Sequence, residues 1–439
     1  MNMKQWLVRP QKNLGPLGLT VLLVVASLMT PLSLDMYTPA VPHMAEHFNA
    51  DAGTVNLTLV GYFLFFAVGL LVFGPLSDRC GRRPVLLAGM AAYTVASMLC
   101  ALSFDIWMLV AFRVLQALGA GAVSAVSTAV VKDAFAADKR ETVLTVVQVM
   151  FVVGPVLAPV IGALVLQVAD WRMTFVVLAA VGAACCVLAV LFEETLPREE
   201  RFEGSVLRSL GQLGAVARNR GFSAFLCIVG AYNLPFMAYI AVGSYVYISF
   251  FGLSELAYSF YFALAALLTV TGPLIWLKAS KHVSARSFTT FLTAVALCSG
   301  AAMLLVGQRG PALFCATFLV FAVTEACIRP YSTNILLSQQ EGDTGAASSL
   351  INFAHTAIGC VGMLLAVLPW SSYVQGIGVL IVASMAFAGI GWIALLKSRI
   401  PLAGINGASP SGQAAPLARD GRPGQGVVDA SSRAKGSAR

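Results

Sequence analysis

Four ionisable side chains lie inside long apolar segments of this sequence, where a charge needs compensation. They are Asp35, Arg113, Glu325 and Arg329. A charge at the centre of a membrane-spanning helix costs on the order of 2.5 to 3.5 kcal/mol on insertion scales, so such residues commonly mark a pathway for ions or substrates. The carboxylates could exchange protons, and both signs of charge could attract a substrate. We find no metal-spaced histidines and no H-E-x-x-H motif, so the pattern argues against a membrane-embedded enzyme.

Asp35 and Arg113 carry opposite charges and are predicted to lie at nearly the same depth. Asp35 lies about six residues, or roughly 9 Å, beyond the midpoint of its helix, and Arg113 lies about five residues before the midpoint of a helix of opposite direction. With Gln116 one turn from Arg113, they could form an ion pair or share a hydrated cavity. Alternatively, Arg113 extends to the outer surface and Asp35 caps a helix that ends early at Pro39 or Pro42.

Glu325 and Arg329 are spaced i, i+4, so they could pair on one face of their helix. Pro330 should kink that helix beside them. The alternative is a self-neutralised structural pair that needs no substrate. Further polar and aromatic residues at similar depth are candidates for lining a central cavity, although a lone histidine in a membrane is often a hydrogen-bonded structural residue. These candidates are Tyr37, Tyr232, Asn233, Tyr239, Asn352 and His355.

The 439-residue chain is 58% hydrophobic and 11% charged, with a mean hydropathy of +0.83. One soluble core could not bury so much apolar surface, so the sequence predicts an integral membrane protein. Segments of roughly 20 apolar residues recur, and their backbone groups must be satisfied within helices. The predicted fold is an all-α membrane protein with twelve transmembrane helices near residues 17–41, 54–74, 84–103, 106–131, 142–168, 172–192, 222–250, 256–278, 287–307, 311–335, 346–369 and 373–396. The nine cysteines are scattered and are interpreted as core residues.

The distribution of positive charge predicts the topology. All but four of the 28 Lys and Arg residues lie at the termini and in alternate loops, which places both termini in the cytosol by the positive-inside rule. The predicted organisation is a cytosolic N-terminus at 1–16, a six-helix half at 17–192, a polar cytosolic linker at 193–221, a second six-helix half at 222–396 and a disordered cytosolic tail at 397–439.

Two glycine-containing motifs accompany these helices. The first is the charged turn from Gly74 to Leu86, whose candidate cytosolic gate residues are Gly74, Asp78, Arg79, Gly81, Arg82 and Arg83. We expect a latch between the halves that holds an outward-facing state, and a purely topological stop signal is the alternative. The second motif lies in the fifth helix, where a candidate hinge comprises Gly154, Pro155, Pro159 and Gly162. Its small residues could form a smooth packing stripe, so a plain helix-packing motif is the alternative.

Four stretches resemble the major facilitator superfamily, specifically its Bcr/CflA type of drug-resistance exporters. They are P-L-S-L-D-M-Y-T-P-A-V-P at 31–42, G-P-L-S-D-R-C-G-R-R-P at 74–84, R-V-L-Q-A-L-G-A-G at 113–121 and G-P-V-L-A-P-V-I-G at 154–162. The resemblance implies that the first, fourth, seventh and tenth helices line a central cavity. It also implies that Asp35 is a proton and substrate site, that Arg113 couples protonation to movement, and that Asp78 and its arginines form the cytosolic latch.

The sequence is therefore expected to encode a proton-coupled exporter of small organic compounds, such as phenicol-like or bicyclomycin-like antibiotics, working by alternating access in the bacterial inner membrane. Coupling is assigned to Asp35, Arg113, Gln116, Glu325 and Arg329. No cofactor beyond the proton gradient, no metal and no nucleic acid partner are expected, and a monomer should suffice. A proton-linked importer or exporter of a metabolite with the same fold remains the alternative.

Overall fold

The computed structural model describes residues 6–202, 206–339 and 344–398, together with residues 400, 402 and 405. Twelve helical segments within these ranges are long and apolar enough to cross a membrane. These spans, referred to below by their order, are Gly15–His47, Ala52–Cys80, Arg82–Ala101, Ile106–Ala134, Ala137–Leu166, Arg172–Leu191, Arg220–Phe250, Glu255–Ala279, Ala285–Arg309, Pro311–Leu337, Gly345–Ala366 and Tyr373–Lys397. The predicted all-α fold with twelve transmembrane helices is confirmed.

Short polar side chains begin several spans where the sequence leaves the apolar segments. Asp51 accepts a hydrogen bond from the Thr54 backbone N–H at 3.2 Å, and Asp105 accepts one from the Trp107 N–H at 2.8 Å. Ser254 does the same for the Ala257 N–H at 3.2 Å. Such N-caps satisfy donors that lack a partner within the helix, so they fix where each span starts.

Proline and glycine divide the first span and shape the eighth. The first consists of helix Gly15–Asp35, a 3₁₀ turn at Thr38–Ala40 and helix Val41–His47. The eighth consists of Glu255–Thr269 and Thr271–Ala279. Because proline lacks an N–H donor and its ring clashes with the preceding turn, these breaks fall beside Pro39 and Pro273. The seventh span continues from helix Arg220–Ser244 into a π-helical turn at Tyr245–Phe250.

The charged turn is shorter than the predicted gap of Gly74 to Leu86. The second span continues as helix through Pro75 to Cys80, and the third begins at Arg82. Only Gly81 separates them, with a φ of 100° that favours glycine. The apolar segment thus ends before the helix does, and the last helical turn carries the charges.

The linker contains more structure than a polar connection. A 3₁₀ turn spans Arg198–Glu200, and a helix spans Val206–Ala217. The predicted division into two halves and a linker stays a prediction, and the predicted disorder of the tail falls almost wholly outside the described residues.

The loops define two ends of the bundle. The linker face carries Gly81 and residues 193–202, and the distal face carries the loops near residues 50, 104, 169, 252 and 370. Hydrogen bonds between the first six spans and the last six lie toward the distal face within the described ranges. Asn56 donates to the Met363 carbonyl at 2.8 Å, and Ser259 donates to the Pro159 carbonyl at 2.8 Å. The halves are therefore hydrogen-bonded to each other at the distal face, and the fifth and eighth spans separate toward the linker face, where a cavity lies between them.

Small residues allow the first and fifth spans to approach closely. Gly154, Ala158 and Gly162 are buried on one face of the fifth span, as expected for the predicted packing stripe. A Cβ atom at Gly162 would overlap the backbone oxygen of Met36, and one at Gly154 would overlap the ring of Pro31. The packing therefore depends on the absence of side chains here.

We predict that Gly162→Ala lowers the thermal midpoint of the purified protein, because overpacking typically costs about 1 to 3 kcal/mol. The measurement is a thermal unfolding series in detergent. Gly214→Ala in the linker helix is the control, since nothing lies within 4 Å of a Cβ there, and alanine favours helix by about 1 kcal/mol. An unchanged midpoint in Gly162→Ala would contradict the close approach of the two spans.

Candidate transport pathway

Arg113 is fully buried inside the first six spans. Its Nη1 atom donates to the Ser33 carbonyl at 2.9 Å and to Gln116 Oε1 at 2.7 Å. The guanidinium lies 4.4 Å from the centre of the Tyr37 ring and 4.2 Å from that of Tyr62. Ring faces attract a cation, and the attraction strengthens when water is absent. Arg113 is thus held by carbonyl, amide and aromatic groups, and it makes no ion pair with any carboxylate of the described residues.

A hydrogen-bond network extends this site to the third span. Gln116 donates to Ser97 at 2.8 Å, and the hydroxyls of Ser33 and Tyr93 lie 2.6 Å apart. The sequence suggested Gln116 as a neighbour of Arg113, but it gave no signal for Ser33, Ser97 or Tyr93. The Tyr62 ring of the second span, for which depth along the helix gave no signal either, also contacts the guanidinium.

Asp35 does not pair with Arg113 in this conformation. Asp35 ends the first helix, is 5% exposed, and has no hydrogen-bond or ion-pair partner for its carboxylate among the residues with described positions. Equal depth in the membrane was not enough to predict a contact between Asp35 and Arg113, because their side chains must also point toward each other. The Ser33 carbonyl faces Arg113, and two residues later the chain has turned by about 200°. The carboxylate consequently lies apart from the guanidinium.

Glu325 and Arg329 do not form the predicted i, i+4 ion pair in this conformation. Glu325 is 5% exposed and has no partner for its carboxylate within the described ranges, whereas Arg329 is exposed. The spacing allows a pair, but a long guanidinium side chain can extend to solvent instead.

His355 lies on the eleventh span and is buried. Asn233 donates to its backbone carbonyl at 2.6 Å, while both ring nitrogens lack a partner in the part of the chain that the structure describes. Asn352, one turn away, is exposed. The structure thus brings Asn233 and His355 together in the second half.

Two tyrosines predicted to line the cavity point elsewhere. The Tyr232 hydroxyl lies 2.6 Å from the hydroxyl of Thr293 on the ninth span. The Tyr239 ring stacks on Phe318 with ring centres 3.7 Å apart, and both it and Tyr232 are almost completely buried. Their contacts are with spans of their own half, so we correct their assignment from cavity lining to internal packing. Depth along a helix could not reveal which neighbour each ring faces.

Residues of the charged turn contact other residues of the first half and of the linker. Arg82 contacts Asp78 at 2.5 Å and Asp133 of the fourth span at 2.8 Å. The backbone N–H groups of Arg82 and Arg83 donate to the Glu194 carboxylate at 2.9 and 3.2 Å. Neither Asp133 nor Glu194 was expected from sequence. A latch from this turn to the other half is not formed in this conformation, because the described partners of Asp78 and Arg82 lie in the first four spans and the linker.

A cavity of about 730 Å³ lies between the fifth and eighth spans on the side of the linker face. Glu141, Leu144, Gln148 and Val152 of the fifth span line it, with Val270 of the eighth opposite. It is separate from Arg113 and Asp35, which are not among its lining residues. It is an open groove, and eight of its nine lining residues belong to the fifth span.

Twelve apolar helices in a bundle with buried charges define a multi-pass membrane protein with a transporter fold. A model described as Major Facilitator Superfamily matches residues 23–363, so the chain belongs to that superfamily. The fold implies a small-molecule substrate and a bilayer environment.

Similar proteins include transporters and resistance proteins of bacteria. The chain is 28% identical over 389 residues to the uncharacterized MFS-type transporter YdgK of Bacillus subtilis, covering 88% of this chain and 96% of that protein. It is 35% identical over 257 residues to a chloramphenicol resistance protein of Pseudomonas aeruginosa, covering 58% of this chain and 60% of that protein. It is 33% identical over 171 residues to the multidrug resistance protein MdtL of Escherichia coli, covering 39% and 44%.

Solved structures with the same fold include the peptide transporter POT in complex with sulfate, with a TM-score of 0.69, 15% identity and coverage of 88% of this chain and 95% of that chain. A bacterial homologue of the human lysosomal transporter Spinster, in an inward-facing and unoccupied conformation, has a TM-score of 0.66 at 14% identity, covering 86% and 96%. At these identities the likeness supports the fold alone.

We predict that Arg113→Met leaves the thermal midpoint within about 3 °C of the unsubstituted protein, because the loss of its hydrogen bonds to the Ser33 carbonyl and Gln116 is offset by relief of the cost of burying a guanidinium away from water. Arg113→Lys is the matched comparison. It should lower the midpoint further, since an ammonium is more strongly hydrated and cannot stack on two rings as a planar group does. Both midpoints are measured in the same detergent. A larger loss in Arg113→Met than in Arg113→Lys would show that positive charge alone stabilises the site.

Proposed function

We propose that this protein is a proton-coupled exporter of small, partly apolar organic compounds, a drug:H⁺ antiporter of the Bcr/CflA type. The observation that carries the proposal is the buried carboxylate of Asp35, which lies at a break in the first span and has no partner among the described residues. An unpaired carboxyl at membrane depth is costly unless it can take up a proton. Relatives named for chloramphenicol and multidrug resistance support drugs as substrates.

Alternating access follows from where the halves meet. We assign the linker face to the cytosol on the positive-inside rule, so the divergence of the halves at that face corresponds to an inward-facing state. A substrate would then enter from the cytosol and reach the seam beside Asp35. In the outward-facing state Asp35 would load a proton, and release of that proton to the cytosol would reset the exporter.

Arg113 would place a positive charge in the first half without neutralising Asp35. Because its charge is held by Tyr37, Tyr62 and the Ser33 carbonyl, Asp35 remains free to exchange protons. A shift of the first span that brought Asp35 nearer to Arg113 would favour proton loss, since a nearby cation stabilises the carboxylate. Separation and approach of these two groups would therefore couple proton release to movement.

A proton-linked transporter of a metabolite is the second candidate. The observation favouring it is the exposed Arg329, one helical turn after the buried Glu325, since an exposed cation would attract an anionic or zwitterionic solute. The direction of coupled flux and the response to drugs distinguish the two candidates.

We predict that Asp35→Asn abolishes chloramphenicol transport driven by an imposed pH gradient in proteoliposomes, while exchange of the compound down its own gradient persists. Asparagine keeps the shape of the side chain but cannot carry the proton. Asp51→Asn is the matched control, because Asp51 lies outside the spans and asparagine also caps a helix. Gradient-driven transport at the unsubstituted rate in Asp35→Asn would exclude Asp35 as the coupling site.

We predict that Asp78→Asn cripples transport while membrane insertion and folding stay normal, because Arg82 keeps its contact with Asp133 at 2.8 Å and Asp78 would be needed only for a latch in the outward-facing state. Asp133→Asn removes the other carboxylate from the same guanidinium and is the comparison. Transport rate and the amount of folded protein are measured for both. If the two variants lose equal activity, Asp78 serves only to anchor Arg82, and the latch is refuted.

A further inference from the structure

Two residues near the start of the eighth span bind the first span just beyond Asp35. Glu255 contacts His43 at 2.7 Å, and the Tyr258 hydroxyl donates a hydrogen bond to Thr38 Oγ1 at 3.2 Å. Glu255 and Tyr258 are spaced i, i+3, so they share one face of the eighth span. The second half is thereby attached to the break in the first span, which is the segment that follows the proposed proton site.

The two contacts differ in burial. The side chains of His43 and Glu255 are 49% and 32% exposed, so water can replace either partner, and exposed ion pairs contribute little to stability. Tyr258 is fully buried, and Thr38 is 1% exposed. A buried hydroxyl that loses its partner retains the full cost of its desolvation. The hydrogen bond between Tyr258 and Thr38 is therefore the stronger of the two contacts while the distal face is closed.

The Thr38 hydroxyl connects Tyr258 to the backbone of Asp35. It donates its one proton to the Asp35 carbonyl at 2.8 Å, so toward Tyr258 it can only accept. The Asp35 carbonyl belongs to the last turn of the helix Gly15–Asp35, where carbonyl groups lack N–H partners within the helix. Hydrogen bonds in such a chain polarise and strengthen one another. Tyr258 thus helps to cap the helix at the residue that carries the proposed proton-binding carboxylate.

Tyr37 and Thr38 attach the break to different halves. The centre of the Tyr37 ring lies 4.4 Å from the Arg113 guanidinium within the first half, whereas Thr38 contacts Tyr258 of the second half. When the halves separate at the distal face, Tyr37 can keep its contact, but Thr38 must lose Tyr258. The break next to Asp35 is therefore a part of the first span that changes partners during opening.

The Tyr258 ring is held independently of its hydroxyl. The ring centres of Tyr247 and Phe262, both in the second half, each lie 5.9 Å from that of Tyr258. Tyr258→Phe keeps the ring and removes only the hydrogen-bond donor. The hydroxyl can thus be tested without disturbing the aromatic packing.

We propose that Tyr258 is a positioning residue for proton coupling at Asp35. While the distal face is closed, the Tyr258 hydroxyl holds the break through Thr38 and keeps the Asp35 carboxylate inside the protein. When the distal face opens, this hydrogen bond is lost and Asp35 becomes accessible from that side. The role in coupling rests on the proposed function of Asp35, whereas the effect of the hydrogen bond on the break does not.

The first measurement is hydrogen–deuterium exchange of the full chain in nanodiscs, followed by mass spectrometry of peptides that cover residues 36–48. Tyr258→Phe should speed exchange of these amides about fivefold, as expected for one lost buried hydrogen bond between neutral groups. Thr38→Ser keeps the hydroxyl and should exchange like the unsubstituted protein. In a Thr38→Val background, which lacks the acceptor, Tyr258→Phe should have no further effect.

Tyr232→Phe is the matched control. The Tyr232 hydroxyl lies 2.6 Å from that of Thr293, and Thr293 donates to the Thr289 carbonyl at 2.7 Å. This variant therefore loses the same kind of hydrogen-bond chain, but within the second half, and exchange at residues 36–48 should not change. Unchanged exchange in Tyr258→Phe, or equal acceleration in Tyr232→Phe, overturns the proposal.

The second measurement distinguishes positioning from structural support. Chloramphenicol transport in proteoliposomes of known orientation is recorded against the pH on the side of the distal face. Because weaker distal closure makes the step after proton loading less favourable, the pH of half-maximal transport should fall by about 0.7 unit in Tyr258→Phe, which is the same fivefold change. Tyr232→Phe should keep the pH of the unsubstituted protein even if its rate falls.

The two measurements also separate this inference from the proposed function. Faster exchange in Tyr258→Phe with an unchanged pH of half-maximal transport shows that the hydrogen bond only supports the fold, and it overturns the role in coupling. If the unsubstituted protein shows no transport driven by a pH gradient, the proposed function fails. The exchange rates then still decide whether Tyr258 holds the break beside Asp35.

Discussion

The burial of the Arg113 guanidinium is the constraint around which the first half is arranged. A guanidinium cannot lose its proton in a protein, so the surrounding spans must replace the water that it loses. The first span supplies the Ser33 carbonyl and the Tyr37 ring, and the second span supplies the Tyr62 ring. Gln116 extends the network to Ser97 on the third span. Neighbouring helices are thus held in register by a single cation that has no counter-ion within the described ranges.

This arrangement and the close packing of the fifth span give the first half two different kinds of contact. Around Arg113 the contacts are polar and directional, while at Gly154 and Gly162 they depend only on small side chains and backbone shape. On the linker face the charged turn adds a third kind, in which Arg82 joins the second span to the fourth and Glu194 joins the third span to the linker. These contacts lie within the half and its linker, so they can persist while the halves separate. Hydrogen bonds between the halves lie near the distal face, where His43 of the first span also contacts Glu255 of the eighth at 2.7 Å.

Hydropathy and charge distribution were sufficient to predict the twelve helices, because a span in lipid must satisfy its own backbone and must be apolar over a fixed length. The same reasoning could not predict which charged groups touch. Asp35 and Arg113 share a depth but point to different neighbours, and Glu325 and Arg329 share a helix face without pairing. Tyr232 and Tyr239 face spans of their own half. The neighbour that a side chain faces depends on tertiary packing and on helix breaks at proline. Its depth in the membrane and its spacing along one segment do not reveal that neighbour.

The distance between a proton site and its nearest cation has a mechanistic consequence. A carboxylate permanently paired with an arginine would hold no proton near neutral pH, whereas one with no cation nearby would seldom release it. Asp35 lies two residues beyond Ser33, whose carbonyl binds Arg113, and the helix ends between this contact and the turn at Thr38–Ala40. A change in that turn could therefore rotate Asp35 toward or away from the guanidinium while Ser33 stays in place. If Asp35 is the coupling residue proposed above, the proline-containing break is what allows one charged group to move relative to another that is fixed.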